Sequence, residues 1–140
     1  MKNIPINTEV MTDGSQSFHA HARLVGDFLY VSGIIATKKD QVEIPGVVYD
    51  IDGRAAGHDV VKQLVSTFEN LEAILTAAGT SLKNVVDVTV FLTDIQRDFK
   101  EFNRVYGEYF GEILPARTTV EVTRLPSPVC VELKVIAIVS

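Results

Sequence analysis

The last quarter of the chain, Pro115–Val139 (PARTTVEVTRLPSPVCVELKVIAIV), allows the fewest conformations. Within Arg117–Val122 and again within Val129–Val139, side chains alternate between two faces, the period of extended strands. Between these runs lies the proline-bracketed segment Leu125-Pro126-Ser127-Pro128. The simplest expectation is a hairpin whose turn is centred between Pro126 and Ser127. Val120, Val122, Val131, Leu133, Val135 and Ala137 then share one face. Arg117, Thr119, Glu121, Cys130, Glu132 and Lys134 share the other. An apolar face backed by one carrying an arginine and a glutamate is what the rest of the chain must accommodate.

Taken in order, residues 1–16 are mixed and turn-rich and predict a loosely tied arm. His19–Leu24 and Phe28–Ser32 flank Val25-Gly26-Asp27, a hairpin signal, and Gly33 permits close approach of a backbone or ligand. Residues 34–57 carry little pattern: a polar turn at Lys38–Gln41, short strands at Val42–Ile44 and Val47–Ile51, and a turn at Asp52-Gly53. Val61, Leu64, Val65, Phe68, Leu71, Leu75 and Ala78 recur at helical spacing and predict a helix over His58–Ala78, stopped by Gly79. Asn84–Thr93 predicts a strand with Val86, Val88, Val90 and Leu92 on one side and Val85, Asp87, Thr89, Phe91 and Thr93 on the other. Asp98–Phe110 predicts a second helix with an aromatic stripe, ended by Gly111.

The order β-β-α-β-α-β-β, with one apolar face per helix, predicts an α+β domain in which both helices cover one face of a single sheet. The opposite face, with Ile136, Ile138, Phe91 and Val85 expected there, is too apolar for water. It therefore predicts a homo-oligomer whose sheets face one another, with Arg117 and Glu132 near a subunit boundary.

With 140 residues, 46% of them hydrophobic, the chain fits one domain. A net charge of −5 argues against phosphate-backbone binding, so nucleic acid is not an expected partner. No run of 18 apolar residues suggests a membrane span, and residues 1–14 lack a secretory pattern, so the expected location is cytoplasmic. A single cysteine excludes an intrachain disulfide.

Among candidate functional groups, the flat fork of Arg117 suits a carboxylate ligand, although an ion pair with Glu121 or Glu132 explains it equally well. In the hairpin register Arg117 faces Ile136, four positions from Glu132. At ~3.4 Å per residue the two backbones are then roughly 13 Å apart, room for a small molecule. Glu132, between Val131 and Leu133, has the apolar setting that raises a carboxyl pKa and lets it hold or activate water; pairing with Lys134 or Arg124 is the even alternative. His19 and His21 share a strand face without a third ligand at recognisable spacing, His58 included, so no metal is expected. Cys130 has no histidine nearby in sequence and is expected to be a buried, inert thiol. The nine glycines sit singly, so no phosphate-cradling loop exists.

At these residues the chain resembles the reactive-intermediate deaminases, the RidA/YjgF/L-PSP family. PARTTVEVTRLPSPVCVELKVIAI resembles that family's C-terminal signature. GDFLYVSG (26–33), NLEAILTAAGTSLKNVVDVTVFLTD (70–94) and FNRVYGEYFG (102–111) support it, leaving residues 1–17 as an arm of a single domain spanning 1–140. The resemblance implies a chorismate-mutase-like α+β fold and a homotrimer with an inner barrel of sheets, or a hexamer of two trimers. It also implies cofactor-free hydrolysis of an enamine or imine acid to a keto acid and ammonia. By the same resemblance Arg117 clamps the substrate carboxylate and Glu132 positions the attacking water. Gly33, Thr119 and Asn103 line the cleft.

Three departures stand out. Thr119 stands where general imine deaminases carry cysteine, Ile34-Ile35-Ala36 replaces Gln-Ile-Pro, and the segment after Gly33 is longer. VEIPGVVYDIDGRAAGHD, a histidine at His21 and the Leu-Pro-x-Pro turn resemble the 2-aminomuconate deaminases. That branch implies a longer dicarboxylate substrate and a second polar contact from His21, Arg23, Lys38 or Lys39.

Overall fold

The computed structural model describes residues 1–11 and 18–140. In chain order its elements are β1 (Asn3–Ile6), β2 (Ala22–Val25), β3 (Phe28–Ile34), β4 (Val47–Tyr49), β5 (Ala55–His58), α1 (Val60–Ala77), β6 (Val85–Leu92), α2 (Ile95–Phe110), β7 (Ala116–Glu121) and β8 (Val131–Ile138). Six strands form a mixed sheet in the order β1-β2-β3-β8-β6-β7, and the two helices pack on one face of it. β4 and β5 make a separate two-stranded ribbon ahead of α1.

The β2–β3 hairpin forms as its sequence predicts, with Gly26 at φ +60° in the turn. The helices form close to their predicted limits. Asp59 caps α1 by accepting from the Lys62 N–H, and Asp94 caps α2 by accepting from the Arg97 N–H. Gly79 adopts φ +82°, which turns the chain after α1. Phe68 of α1 stacks on Tyr109 of α2, centroids 3.9 Å apart, and also meets Tyr106 and Phe110. The core between helices and sheet joins Leu64, Phe68 and Leu71 to Val88, Val90, Phe102, Leu133 and Val135. Among the described residues no helix is long and apolar enough to cross a membrane.

The C-terminal hairpin does not form. β7 pairs with β6, in parallel, while β8 pairs antiparallel with β6 on one side and β3 on the other, so β6 lies between the two runs. The reason is α2. Its apolar stripe has to lie on the sheet, and a strand–helix–strand crossover places the next strand parallel beside the first. The proline segment then carries the chain back across the sheet end to the centre. Val120 consequently lies alongside Phe91 on the helix-free face, whereas Arg117 and Thr119 lie beside Val88 and Val90 on the helix-bearing face.

Two smaller expectations are also corrected. A bulge between Val85 and Asp87 turns Val85 into the core and leaves Val86 outside, reversing that end of the predicted alternation. Asn3–Ile6, expected within a loose arm, is hydrogen-bonded to β2 as the sheet's edge strand; residues 12–17 of that arm lie outside the described residues. The patternless segment after Gly33 runs along α1. The Ser66 hydroxyl donates to the Ala36 carbonyl, and the Asn70 amide donates to the carbonyls of Ile35 and Thr37. Backbone groups that lack a sheet partner are thus met by polar side chains buried on α1. Val42, expected in a strand, is fully exposed.

Candidate functional site

Two clusters of the expected site residues form in the subunit, on opposite faces of the sheet. The first is built around Glu132. Ser32 and Gly33 lie between the registered pairs Val31–Val135 and Ile34–Leu133, a bulge opposite Lys134. The bulge brings the Gly33 backbone under the Glu132 carboxylate: a Cβ on Gly33 would lie 2.8 Å from Oε2 and 2.9 Å from Cδ. Only glycine lets the two approach this closely. Phe91 is the cross-strand neighbour of Glu132 on the other side. Burial pushes the Glu132 carboxyl above the ordinary carboxylate range, and among the described residues it forms no ion pair. Neither Lys134 nor Arg124 neutralises it. Lys134 donates instead to the Val31 carbonyl, and burial lowers its ammonium pKa.

The second cluster is built around Arg117 on the edge strand β7. The guanidinium lies over the Tyr106 ring, 4.7 Å from its centroid, and 5.9 Å from those of Phe99 and Phe102. Arg117 Nη1 donates to Asn103 Oδ1 at 2.8 Å, and no carboxylate pairs with it among the described residues. The aromatic stripe of α2 therefore both fills the core and forms a platform that orients a cation. Beside it is a concavity of about 290 Å³ lined by Asn103, Tyr106, Gly107, Leu114, Pro115 and Arg117, among others. Thr119, two residues along the same face, has a buried Oγ1 with no hydrogen-bond partner among the described residues, and so does the Tyr106 hydroxyl. Burial raises the Tyr106 phenol pKa, with the Arg117 charge opposing.

The expected single face carrying both Arg117 and Glu132 is thus replaced by two half-sites. Gly33 joins Glu132, while Asn103 and Thr119 join Arg117. His21 is buried beneath the N-terminal segment, where its Nδ1 accepts from the Thr8 N–H and its backbone N–H donates to Asn7 Oδ1. The other candidates for a second contact are engaged: Arg23 Nε donates to Asn3 Oδ1, Lys38 donates to the Ser66 carbonyl and Asn70 Oδ1, and Lys39 pairs with Glu9. A larger open groove of about 480 Å³ along α1 includes Lys38 and Glu69 but neither half-site. Sequence reasoning missed Tyr106, whose place in a helical stripe concealed its position under Arg117. It also missed Lys134 as a second half-buried charge. The signal available for Lys134 was a lysine in a strand that, apart from Glu132, is otherwise wholly apolar.

Cys130 is buried, and desolvation together with the nearby Asp98 carboxylate pushes its thiol up to about 12. It is not a nucleophile in this state.

A mixed sheet with two helices on one face, a glutamate held over a glycine and an arginine on an aromatic platform define the YjgF-type α+β class. The chain belongs to the family described as endoribonuclease L-PSP, the RidA/YjgF proteins, whose pattern matches residues 13–139. A RutC family protein of Pyrococcus abyssi is 43% identical over 119 residues, covering 85% of this chain and 84% of its own. The structure of the YjgF gene product of E. coli superposes with a TM-score of 0.80 at 30% identity, covering 96% of this chain and 98% of that one. Yeast Mmf1 superposes equally well, TM-score 0.80 at 31% identity, over 99% of this chain and 100% of that one.

Proposed function

We propose that this protein is a cofactor-independent hydrolase that converts an enamine or imine acid into a keto acid and ammonia. The observation that carries this reading is the state of Glu132: a half-buried carboxyl with a raised pKa, without an ion-pair partner among the described residues, closely approached by the backbone of Gly33. Such a group can accept a proton from water and return it. Water adds to the C=N carbon as Glu132 takes its proton. Glu132 returns that proton to nitrogen, then carries the carbinolamine hydroxyl proton to nitrogen as well, and the C–N bond breaks to leave C=O and ammonia; an enamine substrate enters as its imine tautomer, formed by protonation of the β-carbon. Arg117 supplies the anchor for the substrate carboxylate, with Asn103 steering its fork.

Because the two half-sites lie on opposite faces of one sheet, the complete site needs Arg117 of one subunit and Glu132 of another. The helix-free face supports association: Phe28, Tyr30 and Val120 are exposed there and Ile136 and Ile138 only partly covered. A homotrimer satisfies this arrangement. Within the class, the resemblance of the segment after Gly33 to the 2-aminomuconate deaminases favours a longer dicarboxylate over short imines, with the second carboxylate contact coming from a group other than His21, Arg23, Lys38 and Lys39, which are engaged within the subunit.

Ammonia release from 2-aminomuconate and from 2-iminopropanoate, generated in situ by an amino-acid oxidase, tests the reading. The expected result is turnover of at least one, faster for aminomuconate, with loss in Arg117→Ala and a strong reduction in Glu132→Gln. Turnover of neither, or full activity in both variants, would overturn it. An RNA substrate in parallel tests the activity in the family's description; the acidic net charge of −5 disfavours it.

A further inference from the structure

A third cluster, made of other side chains than the two half-sites, lies where the starts of the two helices meet the sheet. His58 at the end of β5, Asp98 in the first turn of α2 and Cys130 just before β8 each offer one ligand atom, and the three atoms lie within 4.8 Å of one another. His58 Nε2 and Asp98 Oδ2 are 2.7 Å apart. Asp98 and Cys130 are buried, and the His58 side chain retains 16% exposure, so the cluster is reached from the His58 side. We propose that His58, Asp98 and Cys130 form a binding site for a borderline-soft divalent metal ion of the Zn²⁺ class, with the fourth position open to water at the His58 side.

Imidazole, carboxylate and thiolate are all ligands of that ion class, at about 2.0 Å from N or O and about 2.3 Å from S, which sets neighbouring ligand atoms about 3.3–3.6 Å apart in a tetrahedron. Closing on an ion thus asks the three groups to move by about an ångström, with the His58–Asp98 hydrogen bond exchanged for two metal bonds. The backbone of Cys130 is already fixed on both sides. Its N–H donates to Gln63 Oε1 at 2.7 Å, and its carbonyl accepts from the Thr93 N–H at 3.1 Å. Gln63 is itself fully buried, and its Nε2 lacks a hydrogen-bond partner among the described residues. On binding, the thiol proton leaves to solvent. The ion would tie together elements far apart in the chain, His58 and Asp98 alone being 40 residues from one another. It would fasten the starts of α1 and α2 to the centre of the sheet. None of the three ligands belongs to the Arg117 or Glu132 cluster, so the site is a structural clamp and is independent of the proposed reaction.

The test is a Co²⁺ titration of chelator-treated full-length protein, read by absorption, with Zn²⁺ competition and thermal melts. The chain contains one cysteine, so a thiolate-to-cobalt charge-transfer band reports Cys130 alone. The expected result is a saturable band at one ion per chain, displaced by Zn²⁺, with a Zn²⁺-dependent rise in Tm. Cys130→Ser should abolish the band, and His58→Gln and Asp98→Asn should each weaken binding at least about tenfold. No charge-transfer band in the wild-type protein overturns the proposal, as does unchanged affinity in Cys130→Ser. The wild-type spectrum decides even where a variant fails to fold.

Discussion

Replacing Gly33 by alanine tests the proposed catalytic geometry with one methyl group. The new Cβ would lie 2.8 Å from Glu132 Oε2, and ordinary contact begins at 3.4 Å, so the carboxylate must retreat by about 0.6 Å. What yields is the end of a flexible side chain, and the Gly33 backbone is outside the positive-φ region. The stability cost should therefore stay near ~1 kcal/mol, the low end for overpacking. For a domain of this size that is a Tm loss of a few degrees. Activity should respond far more. A displacement approaching ~1 Å costs up to about 10² in rate where a group must be held in line with the reacting atom. The smaller retreat at Gly33 should lower kcat by roughly 10- to 50-fold, with KM nearly unchanged because Arg117 is untouched. The assay is ammonia release under saturating substrate, paired with a thermal melt. Wild-type kcat in a folded Gly33→Ala variant would refute the assignment of Glu132 as the water-activating group. A parallel collapse of Tm would show that Gly33 serves packing instead.

Three further outcomes follow from the same structure. Glu132→Gln should raise Tm at neutral pH: the folded-state pKa is raised by burial, so the folded protein binds more protons than the unfolded chain, and stability is lost as pH rises through that pKa. The gain should vanish below the ordinary glutamate range, and a gain that persists unchanged in acid would contradict a burial-raised pKa. Arg117→Lys keeps the charge but loses the fork and the aromatic platform, so kcat/KM should fall about 10- to 100-fold, chiefly through KM, in steady-state assays. Asp59→Ala removes the acceptor for the Lys62 N–H and should cost about 0.5–2 kcal/mol in urea unfolding.

Elements whose signals are local were legible in the sequence. The periodicity of 58–78 and 98–110 and the Gly26 turn act over a few residues, and each produced the expected element. The candidate groups were legible too: a glutamate flanked by Val131 and Leu133 and an arginine opening a strand are chemically conspicuous wherever they are placed. Parity within a strand held until the bulge at Val86, an extra residue that alternation does not announce.

Strand neighbours were decided only in three dimensions. The alternation of Arg117–Val122 reads the same whether β7 pairs with β8 or with β6. The choice follows from α2 needing the sheet beneath its aromatic stripe, which forces a parallel crossover and separates Arg117 from Glu132 by the thickness of the sheet. The convergence of His58, Asp98 and Cys130 is of the same kind, since no linear spacing links them. Sequence by itself determined which side chains are chemically conspicuous and which segments are helical or extended. Tertiary structure decided which of those side chains meet, because meeting depends on competition among distant apolar faces for one core.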